Sequence, residues 1–523
     1  MADAVLKNAM PHLSGKIALR FAKGRSFAER KATMILLAAG LGLRLYHYLR
    51  CPSLWHDEAA LVVNVLDKNF NELLGPLQFS EAAPPLFLWI EKAASLTLGD
   101  SLFSLRFAPF AASCAALVLF VWLARRTVAP AAVPWATLLF AASDRLLWHA
   151  CEAKQYGLEE LAAVTLLALY HLTRDWSPAR RALMFALPAP IVLSVAYPGC
   201  FLYGGLLLAI FPVCIGRFEI NRREDGLPGR RAQDSRPGRP SSEYVAYGIL
   251  MVTVLTTFAL LLLGPIRAQR DTTIVDCWQA MRQFPDWQHP LSVPGWLLRS
   301  TFDLFGYCAK PIGDWLAPLA GVGCVVLWRQ GKRDWCVLLV APITLAALAA
   351  CLKAYPYGGM RVMVYAAPAV LLLVAAGVPP CLAWLHTRGR LAAAPLLILL
   401  TLPLARAGYN VVVPWQRANC AAAANYVAAH GRADDAITAN HWEYLYYFRK
   451  SADRFSPMET LKPPPGDRLW VVVTGARPED RQPCLAPFAT PAWQTLDRHD
   501  FDRTTVLLVE RRQLVAKPAH LTR

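Results

Sequence analysis

Long apolar runs separated by short polar segments dominate the chain from residue 33 to residue 413. A helix needs about 20 mainly apolar residues to cross the hydrocarbon core of a bilayer. The segment 84–98 is apolar but carries Glu91 and Lys92, which is typical of a helix lying at the membrane interface. The runs predict about eleven membrane-spanning helices, at 33–50, 102–124, 130–148, 156–173, 181–198, 200–216, 244–265, 313–328, 334–352, 362–386 and 391–413.

The pattern changes in residues 414–523. The stretch ANCAAAANYVAAH predicts a helix, DDAITAN predicts a step from helix to strand, and RLWVVVTG and TTVLLVERR predict strands. These elements indicate a small α/β domain. It contains Cys420 and Cys484, whose pairing depends on an oxidising compartment and is left open by the sequence.

Basic residues are concentrated in alternate segments between the apolar runs, which predicts the orientation of the chain. Pairs such as Arg125-Arg126 and Arg222-Arg223 mark one set, and the positive-inside rule places that set in the cytoplasm. The N-terminus is then inside, and an odd number of spans places the α/β domain outside. The predicted cytoplasmic set is 1–32, 125–129, 174–180, 217–243, 329–333 and 387–390, and the predicted outer set is 51–101, 149–155, 266–312 and 353–361.

The two longest segments of the cytoplasmic set have their own features. The basic segment 1–32 precedes an apolar run without a signal-peptidase site, so we interpret that run as a retained anchor. The Arg/Pro/Gly-rich segment 217–243 is predicted to be a flexible loop. The transmembrane domain is therefore expected to cover 33–413, as a multi-pass protein of the inner cell membrane.

Composition excludes several other classes of protein. Apolar residues make up 55% of the 523 residues and charged residues 17%, whereas a soluble domain has about 25% charged residues. The net charge of +17 follows from the cytoplasmic segments, so nucleic acid is not an expected partner. The 13 cysteines and 11 histidines show no zinc-finger spacing and no HExxH, so no metal site is predicted.

The first predicted outer segment carries three carboxylates of interest. Asp57 and Glu58 are adjacent, just beyond the first span, and Glu81 precedes Pro84-Pro85. Acidic residues also favour the first turn of any helix, because the N-terminal dipole is positive. Local pattern alone therefore leaves open whether the pair begins a helix or forms part of a site, and Glu81 also fits a solvated loop.

Polar residues also cluster in two other predicted outer segments. The polar residues near residue 150 fit a site for anionic lipid phosphate. They also fit snorkelling or helix capping at a bilayer boundary. Lipid headgroup anchoring explains those near residue 357 as well as a phosphate clamp does. The first cluster contains Glu152, Lys154 and Tyr156, and the second contains Lys353, Tyr355 and Arg361.

These clusters all lie on one predicted side of the membrane. A transporter is expected to place charges inside its spans, near the midplane. The predicted spans hold few charges, with Arg44 as the main exception. This distribution favours an enzyme with a lipid-borne substrate. A lipid-glycan transporter or flippase remains the alternative, and an inactive scaffold is a third reading.

The order of motifs along residues 33–370 resembles the GT-C membrane glycosyltransferases, in particular the protein O-mannosyltransferase-like and aminoarabinose-transferase-like proteins. Each motif alone is weak, and their joint order carries the resemblance. The motifs are LWHDEA, APPLFLW, GDSLFSLRFAPFAASCAALVLFVWLARR, LLWHACEAKQYGLEELAAVTLLAL and YPYGGMRVMVYAAP.

The resemblance implies an inverting transfer of sugar from a polyprenyl-phosphate donor to an acceptor hydroxyl on a lipid, glycan or protein outside the cytoplasm. Asp57 is then the expected base, with Glu58 assisting. The cations Lys154 and Arg361, with Tyr156, are expected to neutralise the departing lipid phosphate. Glu81, Glu152, Lys353 and Tyr355 complete the expected substrate-binding set. Membrane lipids are the other expected partners.

Two features depart from the family pattern. Lys154 stands where the family usually has Arg, and Lys cannot make a bidentate phosphate contact. Glu81 and two alanines precede Pro84-Pro85, where many relatives carry a basic residue or His. The outer segments contain no DxD, so neither a divalent metal nor any other cofactor is expected for transfer.

Overall fold

Helices form nearly all of the chain up to residue 412 in the computed structural model, which describes residues 15–224, 242–389, 391–460 and 467–512. The first ten are α1 Gly15–Arg50, α2 His56–Asp67, α3 Pro85–Leu98, α4 Leu102–Thr127, α5 Val133–Ala142, α6 Asp144–His149, α7 Tyr156–Leu172, α8 Pro178–Ala186, α9 Ala189–Val195 and α10 Gly199–Glu224. The next seven are α11 Ser242–Leu261, α12 Thr272–Ala280, α13 Val293–Cys308, α14 Gly313–Arg329, α15 Arg333–Cys351, α16 Ala367–Thr387 and α17 Ala394–Val412. Short helical turns lie at Glu72–Leu74, Pro130–Ala132, Leu262–Ile266, Arg267–Gln269, Pro290–Ser292 and Arg361–Ala366.

Six helices among the described residues are long and apolar enough to cross a membrane, or eight if each of two bent pairs is one span. The bent pairs are α8 with α9, at 41°, and Pro290–Cys308 with α14, at 102°. All eleven predicted runs are helical over most of their length, but a count of eleven spans is not confirmed. The six helices are Phe27–Arg50, Leu102–Thr127, Ser242–Gln269, Arg333–Cys351, Arg361–Thr387 and Ala394–Val412.

Of the remaining three predicted spans, two have features that keep them from counting as long apolar helices. The run 130–148 breaks at Ser143, whose hydroxyl caps the N-terminus of α6. Helix α7 has 17 residues and contains two buried glutamates, Glu159 and Glu160. Helix α10 runs from Gly199 to Glu224, but its side chains are described only to Phe211, so the predicted span 200–216 lies partly outside the residues that could be assessed.

Two predicted segments next to the membrane are partly described. Helix α1 begins at Gly15, so residues 15–32 of the predicted N-terminal segment are helical and continuous with the first span. Helix α10 extends to Glu224 and α11 begins at Ser242, which shortens the predicted loop 217–243 from both sides. Residues 1–14 and 225–241 lie outside the described residues, and the prediction of a flexible loop falls mainly on them.

Helix α3 is confirmed as a helix, and it packs against α2. Pro85 occupies its first turn, where the missing N–H costs no hydrogen bond. Glu91 is buried, and the Nζ of Lys92 donates to the carbonyls of Val65 and Leu66 at 3.0 and 3.1 Å. Lys92 therefore caps the C-terminal end of α2, where a cation is favoured by the helix dipole.

Helices α14 and α16 approach each other closely through glycine. A Cβ built on Gly323 would lie 1.9 Å from the carbonyl oxygen of Leu373, and one on Gly377 would lie 2.0 Å from that of Leu319. Small residues permit such backbone contact between membrane helices. Much of α16 is buried on all sides within the largest apolar core of the chain.

The C-terminal region forms the small sheet domain that the sequence predicts. Its five strands have the order β2-β1-β3-β5-β4, with β1 parallel to β2 and β3, and β5 antiparallel to β3 and β4. Cys420 and Cys484 are both free thiols. The elements are α18 Cys420–His430, β1 Ala436–Ala439, α19 Glu443–Tyr447, β2 Phe455–Pro457, β3 Arg468–Thr474, α20 Pro478–Leu485, β4 Trp493–Phe501 and β5 Thr504–Arg511, with short turns at Arg449–Ser451, Met458–Thr460 and Ala486–Phe488.

The α19 side of this domain lies against the start of α2. The hydroxyl of Tyr447 accepts from the backbone N–H of Leu54 at 2.9 Å, and the indole of Trp442 donates to the carbonyl of His56 at 2.8 Å. The hydroxyl of Tyr446 donates to the carbonyl of Asp100 at 2.8 Å. These bonds fasten the sheet domain to the segment that carries Asp57 and Glu58.

Candidate functional site

The adjacent carboxylates Asp57 and Glu58 occupy the first turn of α2. The backbone N–H of Trp55 donates to Glu58 Oε2 at 3.0 Å, which caps the helix from within. The local reading as a helix start is therefore confirmed. Both carboxylates also contact other segments of the chain, so capping is only part of what they do.

Asp57 pairs with Arg361, the first residue of the turn Arg361–Ala366 that leads into α16. The indole N–H of Trp55 donates to the same Asp57 oxygen, Oδ2, at 3.0 Å. The side chains of Asp57 and Arg361 are 25% and 39% exposed. The pair is therefore partly exposed, and no hydrogen bond from the described residues reaches the other oxygen of Asp57, Oδ1.

Glu58, in contrast, has no exposed surface. Burial alone raises the pKa of its carboxyl, but the guanidinium groups of Arg106 and Arg417 outweigh that effect and hold the pKa well below its ordinary value. A carboxylate so enclosed cannot touch an acceptor directly. Its donors are Trp55 N at 3.0 Å, Arg106 Nε at 2.9 Å, Arg106 Nη2 at 3.0 Å, Ala153 N at 2.8 Å and Arg417 Nη1 at 2.7 Å.

Lys154 forms a second ion pair next to the first. Its ammonium donates to Glu81 Oε2 at 2.5 Å, and the two side chains are 2% and 14% exposed. Lys154 follows Ala153, whose N–H donates to Glu58, so the chain itself connects the two pairs. Two carboxylate–cation pairs thus lie where three predicted outer segments meet.

Glu152 and Tyr156 surround a buried histidine. His149 Nδ1 lies 2.8 Å from Glu152 Oε2, and its Nε2 lies 2.5 Å from the hydroxyl of Tyr307. Since a carboxylate only accepts, Nδ1 donates to Glu152 and Nε2 of a neutral ring accepts from Tyr307. The ring of Tyr156 lies 4.5 Å from that of His149, centroid to centroid.

Lys353 and Tyr355 do not join this group directly. Lys353 follows the end of α15 with a φ of 52°, is exposed, and has no side-chain partner among the described residues. The hydroxyl of Tyr355 donates to the carbonyl of Val362 at 2.7 Å. Tyr355 therefore braces the turn that presents Arg361.

Four residues of the site were not singled out from the sequence: the buried Arg106, Arg417 and His149, and the half-buried Tyr307. Arg106 lies inside the apolar run of α4 and Arg417 in the segment leading to the sheet domain, so neither stood in a predicted outer cluster. A charged residue within an apolar run is a signal in itself, because burying it requires a partner. For Arg106 this rule would have predicted a buried carboxylate as its partner, and the structure shows Glu58 in that position.

The sequence predicted few charges within the spans, with Arg44 as the main exception. The structure shows that the helices contain several more buried charged residues. Arg44 Nε donates to Ser113 Oγ at 3.1 Å, and Ser113 Oγ donates to Glu160 Oε2 at 3.2 Å. Glu159 and Arg106 are buried as well. The prediction missed them because single charges within long apolar runs hardly change the average hydropathy of the run.

Chemically, the arrangement offers one accessible carboxylate, Asp57, held beside a guanidinium, and a second cation, Lys154, which follows the residue that donates to Glu58. Such a carboxylate can accept a proton, and such cations can neutralise a phosphate. A separate group of metal-ligand type, His56, His441 and Glu443, lies beside Asp57 at the boundary with the sheet domain.

Comparisons with known proteins place this geometry in a fold. No protein-family model and no curated protein matches the sequence. ArnT from Cupriavidus metallidurans in the apo state has a TM-score of 0.50 at 12% identity, over 92% of this chain and 98% of ArnT. ArnT bound to undecaprenyl phosphate has a TM-score of 0.47 at 12% identity, over 91% of this chain and 97% of ArnT. The Archaeoglobus fulgidus oligosaccharyltransferase complex with Zn and sulfate has 0.44 at 13% identity, over 81% of this chain and 62% of that chain.

The match to apo ArnT extends over nearly the whole of both chains, so it includes the helices and the C-terminal sheet domain. ArnT is an aminoarabinose transferase of the GT-C superfamily, one of the groups that the order of sequence motifs resembles. The chain therefore has the fold of ArnT, in agreement with the fold that the sequence resemblance predicts.

Proposed function

We propose that the chain is an inverting glycosyltransferase that moves a sugar from a polyprenyl-phosphate donor to an acceptor hydroxyl of a lipid, glycan or protein. The observation that carries the proposal is the accessible pair of Asp57 and Arg361, formed by two segments 304 residues apart. The site then faces the outside of the inner membrane, with the N-terminus in the cytoplasm.

In the proposed reaction, Asp57 takes the proton of the acceptor hydroxyl. The acceptor oxygen forms a bond to the sugar C1 while the bond from C1 to the phosphate oxygen breaks, which inverts the anomeric centre. The polyprenyl phosphate leaves with the electron pair of that bond. Its charge is compensated by Arg361, which the incoming phosphate draws away from Asp57 and so frees the base.

Glu58 is a positioning residue in this proposal. With five donors around it, Glu58 holds the first turn of α2 against α4, the Ala153 segment and Arg417. Asp57 is then fixed in direction by the turn it shares with Glu58. This explains how an accessible base keeps its place in a loop-rich region.

Lys154 serves as the second phosphate cation, with Glu81 as its partner in the substrate-free state. Glu152 keeps His149 in one tautomer. The hydrogen bond between His149 and Tyr307 fixes the His149 ring beside Tyr156. Lys353, exposed just beyond the end of α15, meets lipid headgroups or the outer part of the donor. No cofactor is needed, because the lipid phosphate is the leaving group.

The test is transfer by purified full-length protein from a panel of radiolabelled polyprenyl-phosphate sugars to a membrane extract. Removing a general base costs about 10²–10⁴-fold in rate. We expect Asp57→Asn to lose at least 100-fold of the transfer activity. Asp67→Asn is the matched control, since Asp67 is exposed at the other end of the same helix.

Transfer by Asp57→Asn at the wild-type rate would overturn the assignment of the base. Movement of lipid-linked glycan across proteoliposome membranes, with no transfer from any donor in the panel, would instead support the transporter alternative. Folding of both variants is checked by gel filtration in detergent before rates are compared.

A further inference from the structure

Three metal-ligand side chains from distant parts of the chain meet beside the site. His56 opens α2, whereas His441 and Glu443 lie at the start of α19 in the sheet domain. His56 Nδ1 lies 3.2 Å from Glu443 Oε2 and 3.2 Å from His441 Nδ1. His441 Nδ1 lies 3.5 Å from Glu443 Oε2.

This triangle of donor atoms has the size of one face of a zinc tetrahedron. Zinc binds imidazole nitrogen and carboxylate oxygen at about 2.0–2.2 Å, so two ligands at the tetrahedral angle lie about 3.3–3.5 Å apart. The three observed separations are 3.2, 3.2 and 3.5 Å. An ion above the triangle would reach all three donors without movement of the backbone.

Hydrogen bonding alone explains this arrangement poorly. Two Nδ1 atoms that face each other can share one proton at most, because a second would place two N–H groups head to head. A cation between the nitrogens and the carboxylate removes the conflict, since each atom then points a lone pair at the metal.

The ligands are held in place by their surroundings. The ring of Trp442 stacks on that of His56 at 3.8 Å between centroids, and the Trp442 indole donates to the His56 carbonyl at 2.8 Å. Fixed ring orientation is what neighbours of a metal ligand normally provide. Glu443 is 5% exposed, but both histidines are 33% exposed, which leaves a path for an ion and for a water as fourth ligand.

We propose that His56, His441 and Glu443 bind one zinc ion, with a fourth position open to water, and that this ion joins the sheet domain to the segment carrying Asp57. Two imidazoles with one carboxylate favour zinc over magnesium or calcium, which prefer oxygen ligands. The sequence predicted no metal site because it shows no short ligand motif, and here His56 lies 385 residues before His441. The inference is independent of the proposed transfer reaction.

The experiment measures zinc itself. Full-length protein in detergent is stripped with EDTA, incubated with micromolar ZnCl₂, desalted, and analysed by inductively coupled plasma mass spectrometry. We expect about one zinc per chain in wild type and at least a fivefold loss in His441→Ala and in Glu443→Gln. His289→Ala is the matched control, because His289 Nδ1 lies 2.8 Å from Asp286 Oδ2 in an exposed pair without a third ligand.

Cobalt provides a second measurement that does not depend on the variants. Co²⁺ in the stripped wild-type protein should give the visible absorption of a four-coordinate site, and added Zn²⁺ should abolish it. The melting temperature of wild type should rise with Zn²⁺ and that of His441→Ala should not. Equal zinc content in wild type and His441→Ala, or no zinc retained by wild type, would overturn the proposal.

Discussion

Asp57 and Glu58 are neighbours in sequence with opposite environments. One carboxylate is 25% exposed beside Arg361, and the other is 0% exposed between two arginines. Successive residues of an α-helix point about 100° apart, so the first turn of α2 can present one side chain outward and bury the next. A pair that looks equivalent in the sequence therefore divides into an accessible carboxylate, the proposed base, and a buried anchor.

We expect Glu58→Gln to destabilise the protein strongly. The substitution leaves Arg106 and Arg417 buried without a counter-charge, and removing one partner of a buried ion pair costs about 3–5 kcal/mol. Thermal unfolding in detergent measures the effect as a lower melting temperature. Glu479→Gln, at an exposed position in α20, should leave the melting temperature unchanged. Equal melting temperatures for both variants would contradict the anchoring role.

At the level of single residues, the sequence singled out four residues that the structure joins in two ion pairs, but not the buried residues that support them. Asp57 with Arg361 and Lys154 with Glu81 were all singled out, and the structure brings each pair together. Arg417 was not, because it reaches Glu58 across 359 residues of chain. Such long-range pairing leaves no periodic pattern in the sequence.

The helices show what apolar pattern predicts and what it omits. Long apolar runs predicted helices because any backbone in a membrane must satisfy its own hydrogen bonds. The breaks at Ser143 and between α8 and α9 were missed, since a hydroxyl or a proline changes the direction of a helix without lowering the hydropathy of the run. Helix α13 was missed as well, in a segment predicted to be an outer loop.

The contact of α14 with α16 is an element-level feature that can be tested. We expect Gly323→Ala to destabilise the protein by about 1–3 kcal/mol, because the new methyl group would overlap the carbonyl of Leu373 and force the helices apart. Gly321→Ala is a matched control on the same helix, since nothing lies within 4 Å of the added Cβ.

Thermal unfolding followed by tryptophan fluorescence separates the two variants. Gly323→Ala should melt at a lower temperature than wild type. Gly321→Ala should melt at the wild-type temperature or slightly above it, because alanine favours the helix. A melting temperature for Gly323→Ala equal to that of Gly321→Ala would show that the helices can separate without cost.

For the whole molecule, the sequence predicted a helical membrane part followed by a small sheet domain, and the structure has both. The orientation in the membrane follows from charge alone and stays a prediction. The docking of the sheet domain on α2 could not be predicted, because it depends on side chains such as Tyr447 and Trp442 that look like ordinary core residues of their own domain.

Thiol labelling in intact cells tests the predicted orientation. Among the described residues, Cys277 is the one exposed cysteine, and it lies in the predicted outer segment 266–312. We expect a membrane-impermeant maleimide to label wild type without permeabilisation and to fail on Cys277→Ser. The double variant Cys277→Ser/Arg174→Cys carries its new cysteine at an exposed position of a predicted cytoplasmic segment, so it should be labelled only after permeabilisation. The reverse pattern would invert the topology.

The bonds around Glu58 have a consequence for the biogenesis of the protein. The carboxylate gathers donors from Trp55, Arg106, Ala153 and Arg417. Chains fold from the N-terminus during synthesis, so the helices insert before Arg417 leaves the ribosome. The hydrogen bond between Glu58 and Arg417 can form only after that point. A translation product that ends before residue 417 is therefore expected to lack the contact of Arg417 with Glu58, however completely its helices have inserted.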